Sequence, residues 1–289
     1  MNTKIVTFGE ILLRLSKPGY QRLTQGHRML GNYGGSEANT AISLAYLGNN
    51  VEYVSRLPYG AMGDAALMHL REYGLNVSHV VRGGERLGTY YFEEAVAMRN
   101  SQVIYDRKNS AMYSLKRGMV EWDKVLGDAA VFHCSGITCA ISRDSMESTM
   151  DALQLAEAKG LTIVCDINYR KNLWGYGMQP HDVIYNMMQY SDIVFGDQNE
   201  WEVVSSTYRS MLWMPVMSSI VRLIRSISVR CTFSSPSARR WLWLCATSWQ
   251  VPIILLQACS MMPYTTVCTP PRYTTYSLLS TLWALATHM

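Results

Sequence analysis

Apolar positions between residues 1 and 202 fall into two kinds of run: short ones rich in β-branched or aromatic side chains, and longer ones with helical spacing. Lys4–Phe8 (KIVTF), Val51–Val54, Ala130–His133 (AVFH), Leu161–Asp166 (LTIVCD) and Ile193–Phe195 (IVF) read as strands. Glu37–Leu47 (EANTAISLAYL) reads as a helix that stops before Gly48, and Ser142–Lys159 as a long amphipathic helix that stops at Gly160. Asp64 is placed to cap a further helix, AALMHLREYG, ending at Gly74. Strands alternating with helices predict an α/β fold of parallel βαβ units, with helices on both faces of the sheet. One section breaks the rhythm. Thr89–Glu94 (TYYFEE) and Gln102–Tyr105 (QVIY) follow one another with no helix between them. This predicts a small antiparallel lid, or an edge hairpin, within about residues 89–107. No internal repeat is visible.

Candidate chemistry begins at Gly34-Gly35-Ser36-Glu37-Ala38-Asn39, a glycine pair directly before a predicted helix. Glycines let a ligand approach the backbone, and helix N-terminal amides favour oxygen-rich or anionic groups, although a plain turn reads the same way. The GxxxxGK[ST] phosphate loop is absent. His133 reads as a core histidine and Cys134 as a buried thiol.

Several fragments stand in a telling order: FGEILLRL, GGSEANTAISLAYLG, LPYGAMGDAALMHLREYG, GTYYFEE, VIYDR, DINYRKNLW and NEWE. In that order and near that spacing the chain, from about Lys4 to Glu202, resembles the ribokinase/PfkB carbohydrate kinases. Within them it is most similar to those acting on 2-keto-3-deoxygluconate. The resemblance implies a ribokinase-like three-layer sandwich with a small β lid, and ATP-dependent phosphorylation of a sugar acid assisted by Mg2+. It implies that Gly34, Gly35 and Asn39 bind sugar hydroxyls, and that Tyr90, Tyr105 and Arg107 lie in the lid segment that closes over substrate. Arg170, in the D-x-N-x-R segment Asp166–Arg170, would face the sugar acid and phosphates. Asn199 and Glu202 match an N-x-x-E pair associated with Mg2+ and phosphate, usually through water. A sugar acid needs a cation, which Arg107 can supply in forked geometry. Plainer roles remain open: Arg107 as a solvated hairpin residue, Tyr90 and Tyr105 as sheet packing, Asp166 and Asn168 as a strand end, Glu202 as a solvated helix residue. The partners implied are a small sugar acid and ATP, with no nucleic acid, and a homo-oligomer formed through the lid is compatible with the family.

Composition changes the picture at residue 202. All 22 acids and all 20 glycines lie at or before Glu202, and every lysine at or before Lys171. Residues 1–202 carry 19 Lys and Arg against 22 acids, a net of −3, while the remainder carries 7 Arg and no acid, a net of +7. The formal net charge of +4 describes neither part. An ordinary domain is about 7% glycine and about 25% charged. The seven cysteines show no CxxC spacing, so neither a zinc site nor a redox motif is indicated, and reduced thiols are expected. The opening MNTKIVTFGEILLRL has no apolar run of signal-peptide length before Glu10, so a cytoplasmic location is expected. Between Arg240 and Arg272 lie 31 uncharged residues, but the Thr, Ser, Gln and Pro within Trp241–Met262 argue against a membrane span.

The resemblance implies a late D-x-V-G-A-G-D-like segment, whose Asp takes the proton of the attacking hydroxyl and whose amides hold the transferring phosphoryl group. Residues after Glu202 contain neither Asp nor Gly, so no catalytic residue is assigned. The genetic code offers a reason. Suppose that each original triplet comprised the last base of one present codon and the first two of the next. Ser280–Met289 (STLWALATHM) then admits V-D-T-V-G-[AT]-G-D-A. Trp283 is TGG and Ala284 begins GC, so the glycine triplet GGC is forced at Ala284; the other triplets are permitted. The chain therefore divides into a sugar-kinase domain, residues 1–203, and an apparently out-of-frame, non-native tail, residues 204–289, with the break expected between Glu202 and Met211. As written it is expected to be nearly inactive. The alternatives are a kinase of fructokinase or ribokinase type, and a noncatalytic sugar-binding pseudokinase.

Overall fold

The computed structural model describes residues 3–197, 200, 203 and 204, together with the backbone of 232–234 and 240–244. Its centre is a seven-stranded sheet in the order β12-β13-β11-β10-β9-β1-β4. These strands are β1 (Lys4–Phe8), β4 (Asn50–Val54), β9 (Ala129–Ser135), β10 (Thr162–Asp166), β11 (Ile193–Phe195), β12 (Thr232–Ser234) and β13 (Arg240–Leu244). All neighbours are parallel except β12 and β13, which pair antiparallel.

Side-chain alternation along these strands builds four buried apolar clusters among the described residues, two of them large. Val6 and Phe8 of β1, Phe132 and Cys134 of β9, and Ile163 and Cys165 of β10 share one core with Met146, Ala152, Leu153 and Ala156. The four last residues belong to α5 (Arg143–Ala158), which packs there beside α3 (Trp122–Val125). Ile5, Val51 and Tyr53 belong to a second core, with Ala38, Ala41 and Leu44 of α1 (Ser36–Tyr46) and Ala66 and Leu70 of α2 (Ala61–Glu72). Neighbouring β1 residues Ile5 and Val6 thus serve opposite faces, as a period of two requires, and the result is a three-layer α/β sandwich. The short α4 (Gly136–Cys139) and α6 (Pro180–Gln189) follow, and residues 200, 203 and 204 are also helical.

The helix ends follow local chemistry. Ser142 caps α5, its side chain accepting from the Ser145 amide, and Gly160 beyond the far end has φ 72°, a left-handed value that favours glycine. The cap expected at Asp64 is corrected: Gly60 occupies the N-cap of α2, and the Asp64 amide makes an early helical bond to its carbonyl. Asp64 instead lies in the first turn, where a negative charge suits the helix dipole, and accepts from Arg82 at 2.6 Å.

The excursion also proves larger than residues 89–107. A four-stranded sheet runs β3-β2-β7-β8. It joins β7 (Thr89–Glu93) and β8 (Gln102–Asp106), antiparallel as expected, to β2 (Leu12–Ser16) and β3 (Leu30–Gly34). The apolar run FGEILLRL is therefore the end of one strand and the start of another in a different sheet. A two-stranded pair, β5 (Arg56–Leu57) with β6 (Val81–Arg82), lies apart from both sheets.

Candidate functional site

The chain crosses from the core sheet to the lid at Gly9 and Glu10, returns at Gly34 and Gly35, and crosses again around Thr89 and Arg107. These crossings lie near one another at the carboxyl end of β1, where ligands of open α/β sheets bind. A Cβ on Gly35 would collide with the carbonyl oxygen of Glu10, so glycine is required by close backbone approach. The Gly35 amide donates to Asn39 Oδ1 at 3.4 Å, and the Asn39 amide donates to the Gly35 carbonyl at 2.8 Å, opening α1. A Cβ on Gly34 would lie 3.5 Å from the Tyr90 hydroxyl and 3.6 Å from Asn39 Oδ1. Gly34, Gly35, Asn39 and Tyr90 thus form one cluster. Tyr105 extends it, its ring 5.9 Å from that of Tyr90.

Arg107 is buried, 6% exposed, which removes the solvated-hairpin alternative. Its Nε donates to Glu10 Oε2 at 2.7 Å and its Nη2 forms an ion pair with the same oxygen. The forked edge expected to receive a substrate carboxylate is therefore occupied by Glu10. Nη1 is buried without a hydrogen-bond partner among the described residues, and the guanidinium lies 5.6 Å from the Tyr105 ring centre. Ser110 Oγ donates to the other Glu10 oxygen at 2.6 Å, fixing the carboxylate from the far side. A single acid within the apolar run FGEILLRL is itself a signal for such a pair, because it is buried only with a partner.

A second group of residues approaches from β10. Asn168, with φ 37°, donates from Nδ2 to Ser36 Oγ at 2.7 Å and so ties this segment to the start of α1. Burial, reinforced by the charges of Glu200 and Glu37, pushes the Asp166 carboxyl up to about 7 against the opposing pull of Arg170. Arg170 is not in the Arg107 cluster; it pairs with Glu200 at 3.6 Å and donates to its neighbour's carbonyl, Tyr169 O, at 3.0 Å. Glu200, unremarked in the sequence, accepts from the amides of Tyr169 and Asp197, each at 3.0 Å. Asn199 and Glu202 fall outside the described residues. Glu37 is also buried, accepting from Ser135 and Thr138, and burial raises its carboxyl.

His133 behaves as a core residue: burial lowers it to about 4, and its Nε2 has no partner among the described residues. Cys134, Cys139 and Cys165 are free and buried, with Cys134 and Cys165 sulfurs 3.3 Å apart. Among the described residues no group of three His, Cys, Asp or Glu side chains could hold a metal ion, and no helix is long and apolar enough to cross a membrane. Most of Trp241–Met262 lies outside the described residues.

The family model of the pfkB family carbohydrate kinases matches residues 2–209. The chain belongs to that family. It is 36% identical to a 2-dehydro-3-deoxygalactonokinase of Haloferax volcanii over 176 residues, 60% of this chain and 54% of the relative. It is 30% identical to a 2-dehydro-3-deoxygluconokinase of Bacillus subtilis over 175 residues, again 60% and 54%. A crystal structure of a 2-dehydro-3-deoxygluconokinase from Thermotoga maritima superposes with a TM-score of 0.68 at 40% identity, covering 71% of this chain and 62% of that one. This pfkB chain thus spans little more than half the length of the curated relatives it matches. Its α/β fold is that of the family.

Proposed function

We propose that residues 1–203 are the substrate-binding part of a sugar-acid kinase, and that residues 204–289 are an out-of-frame tail standing in place of its ATP-binding and catalytic end. The in-frame reaction would be phosphoryl transfer from ATP, with Mg2+, to the primary hydroxyl of an acid such as 2-keto-3-deoxygluconate (2-dehydro-3-deoxygluconate). The single observation that carries the sugar-acid reading is the buried Arg107 at the foot of the lid, with an unpartnered Nη1 donor. An acid offers that donor an anionic acceptor, which a neutral sugar lacks.

In this reading Gly34, Gly35, Asn39, Tyr90 and Tyr105 bind sugar hydroxyls, Arg107 and Arg170 face the anionic end and the phosphates, and Asn199 and Glu202 serve Mg2+ through water. The tail does not fit the family's ATP chemistry: residues 203–289 include no Asp, Glu or Gly, hence no carboxylate base and no glycine-rich cradle for the phosphoryl group. No catalytic step is assigned to this chain. The end of the family match at residue 209, inside the interval 202–211 where the frame is inferred to break, supports the same division. A cytoplasmic location belongs to this reading, as does pairing of two copies through the lid, whose Leu30, Val103 and Ile104 are exposed.

Calorimetric titration of the full chain tests the substrate class. The sugar acid is expected to bind measurably and fructose or ribose at least tenfold more weakly. Equal binding would return the protein to the fructokinase or ribokinase type.

A further inference from the structure

We infer that Arg14 is a specificity-determining residue of the proposed sugar-acid site, supplying the positive charge that selects an anionic substrate; this rests on the sugar-acid reading above. Arg14 lies on β2, in register with Tyr90 of β7 on one side and Asn32 of β3 on the other, and Tyr90 is in register with Tyr105 of β8. Residues in direct register share a face of a sheet, so Asn32, Arg14, Tyr90 and Tyr105 form a row across all four lid strands. The position of the Tyr90 hydroxyl beside Gly34 and Asn39 shows that this face borders the candidate site. Arg14 hydrogen-bonds Tyr90, and its guanidinium lies 5.8 Å from the ring centre of Phe92, two residues further along the same face.

The need for a second cation follows from the state of Arg107. Its Nε and Nη2 are committed to Glu10 in a buried pair. Such a pair carries no net charge, because Glu10 repels an approaching carboxylate nearly as strongly as Arg107 attracts it. Nη1 still favours an anionic acceptor, but a hydroxyl or carbonyl can also accept there, so that one donor gives only part of the discrimination. Arg170 is likewise paired with a carboxylate, Glu200, at 3.6 Å, so neither arginine is an uncompensated charge that by itself separates an acid from a neutral sugar. Arg14 has the geometry: a forked donor set on the site-facing row, held by a hydroxyl that itself reaches the glycine pair.

The test is titration calorimetry of the full chain with two probes, 2-dehydro-3-deoxygluconate and its neutral C1 carboxamide, on the parent protein, Arg14→Gln and Arg14→Lys, with thermal unfolding as a check on fold. Arg14→Gln is expected to weaken binding of the acid by about tenfold to a hundredfold, the range of a charge-assisted hydrogen bond. Binding of the carboxamide should weaken far less, so that the acid-to-amide ratio falls, and Arg14→Lys should keep part of the preference. A folded Arg14→Gln protein with the parental acid-to-amide ratio would overturn the assignment alone. Loss of both ligands together with the folded signal would make Arg14 structural, and a lysine variant as unselective as glutamine would remove charge as the cause. Either result overturns the proposal. A parent protein that fails to prefer the acid overturns the sugar-acid reading itself, and this assignment with it.

Discussion

Asp166 and its neighbours place several carboxyl groups around the start of α1, and their titration should be visible in stability. Burial raises Asp166 from its ordinary value of 3.8 to about 7, and Glu37 and Glu200 are raised for the same first reason. A raised acid binds its proton more tightly when folded, so stability falls as pH climbs from the unfolded value towards the folded one, then levels off. His133 acts oppositely: lowered from 6.5 to about 4, it contributes stability that is complete above 6.5 and lost as pH falls towards 4. The two trends overlap, so a pH profile of the parent alone is ambiguous. Comparing Asp166→Asn with the parent at each pH cancels the histidine. The advantage of the variant is expected to grow between about pH 4 and pH 7, by at most about 1.4 kcal/mol per unit, and then to plateau. Asn168 donates to both Asp166 oxygens, so the amide loses one acceptor, a cost that does not vary with pH. Chemical denaturation across that range reads the difference. A gap independent of pH would mean that Asp166 is ionised in the folded protein throughout.

At the scale of elements, α5 shows how far local sequence decides structure. Ser142 was legible as its start because a hydroxyl can accept the amide of the third residue on, and the Ser145 amide donates to Ser142 Oγ at 3.2 Å. Ser142→Ala should destabilise the domain by about 1 kcal/mol, measured as a shift of the urea midpoint with unchanged slope. No change would mean that solvent replaces the cap. The central strands were equally legible, since each buries alternating residues against helices adjacent in sequence. The lid was not. β2 follows β1 after only three residues, Gly9, Glu10 and Ile11, and its pairing with β7 joins Arg14 to Tyr90, far apart in the chain. Pattern alone carries no register for such a contact. The Glu10–Arg107 pair was hidden for the same reason, its partners being 97 residues apart, whereas the glycine pair, Asn39 and Tyr90 could be read because the family motifs carry them.

For the whole molecule, the decisive quantity is what residues 204–289 cannot do. The described part of the chain builds a central sheet with packed faces and a lid, and its candidate site has hydroxyl partners and cations but no assigned base. Absence of a general base costs roughly 10²- to 10⁴-fold in rate, and each missing anion-hole donor roughly 10²- to 10³-fold. Residues 203–289 contain neither Asp nor Gly, so the aspartate base and the glycine-rich cradle implied by the family resemblance have no counterpart there. Two outcomes follow from the frame hypothesis, one in nucleic acid and one in protein. The coding DNA over Ser280–Met289 must contain, one base out of register, triplets for the aspartates and glycines permitted there. Restoring one base between the codons for residues 202 and 211 should then yield a protein that phosphorylates a sugar acid at the expense of ATP, at least 10⁴-fold faster than the present chain. A coding sequence without those triplets would show the tail to be an authentic, if unusual, end of the protein. Sugar binding without turnover in the unaltered chain would then make it a pseudokinase.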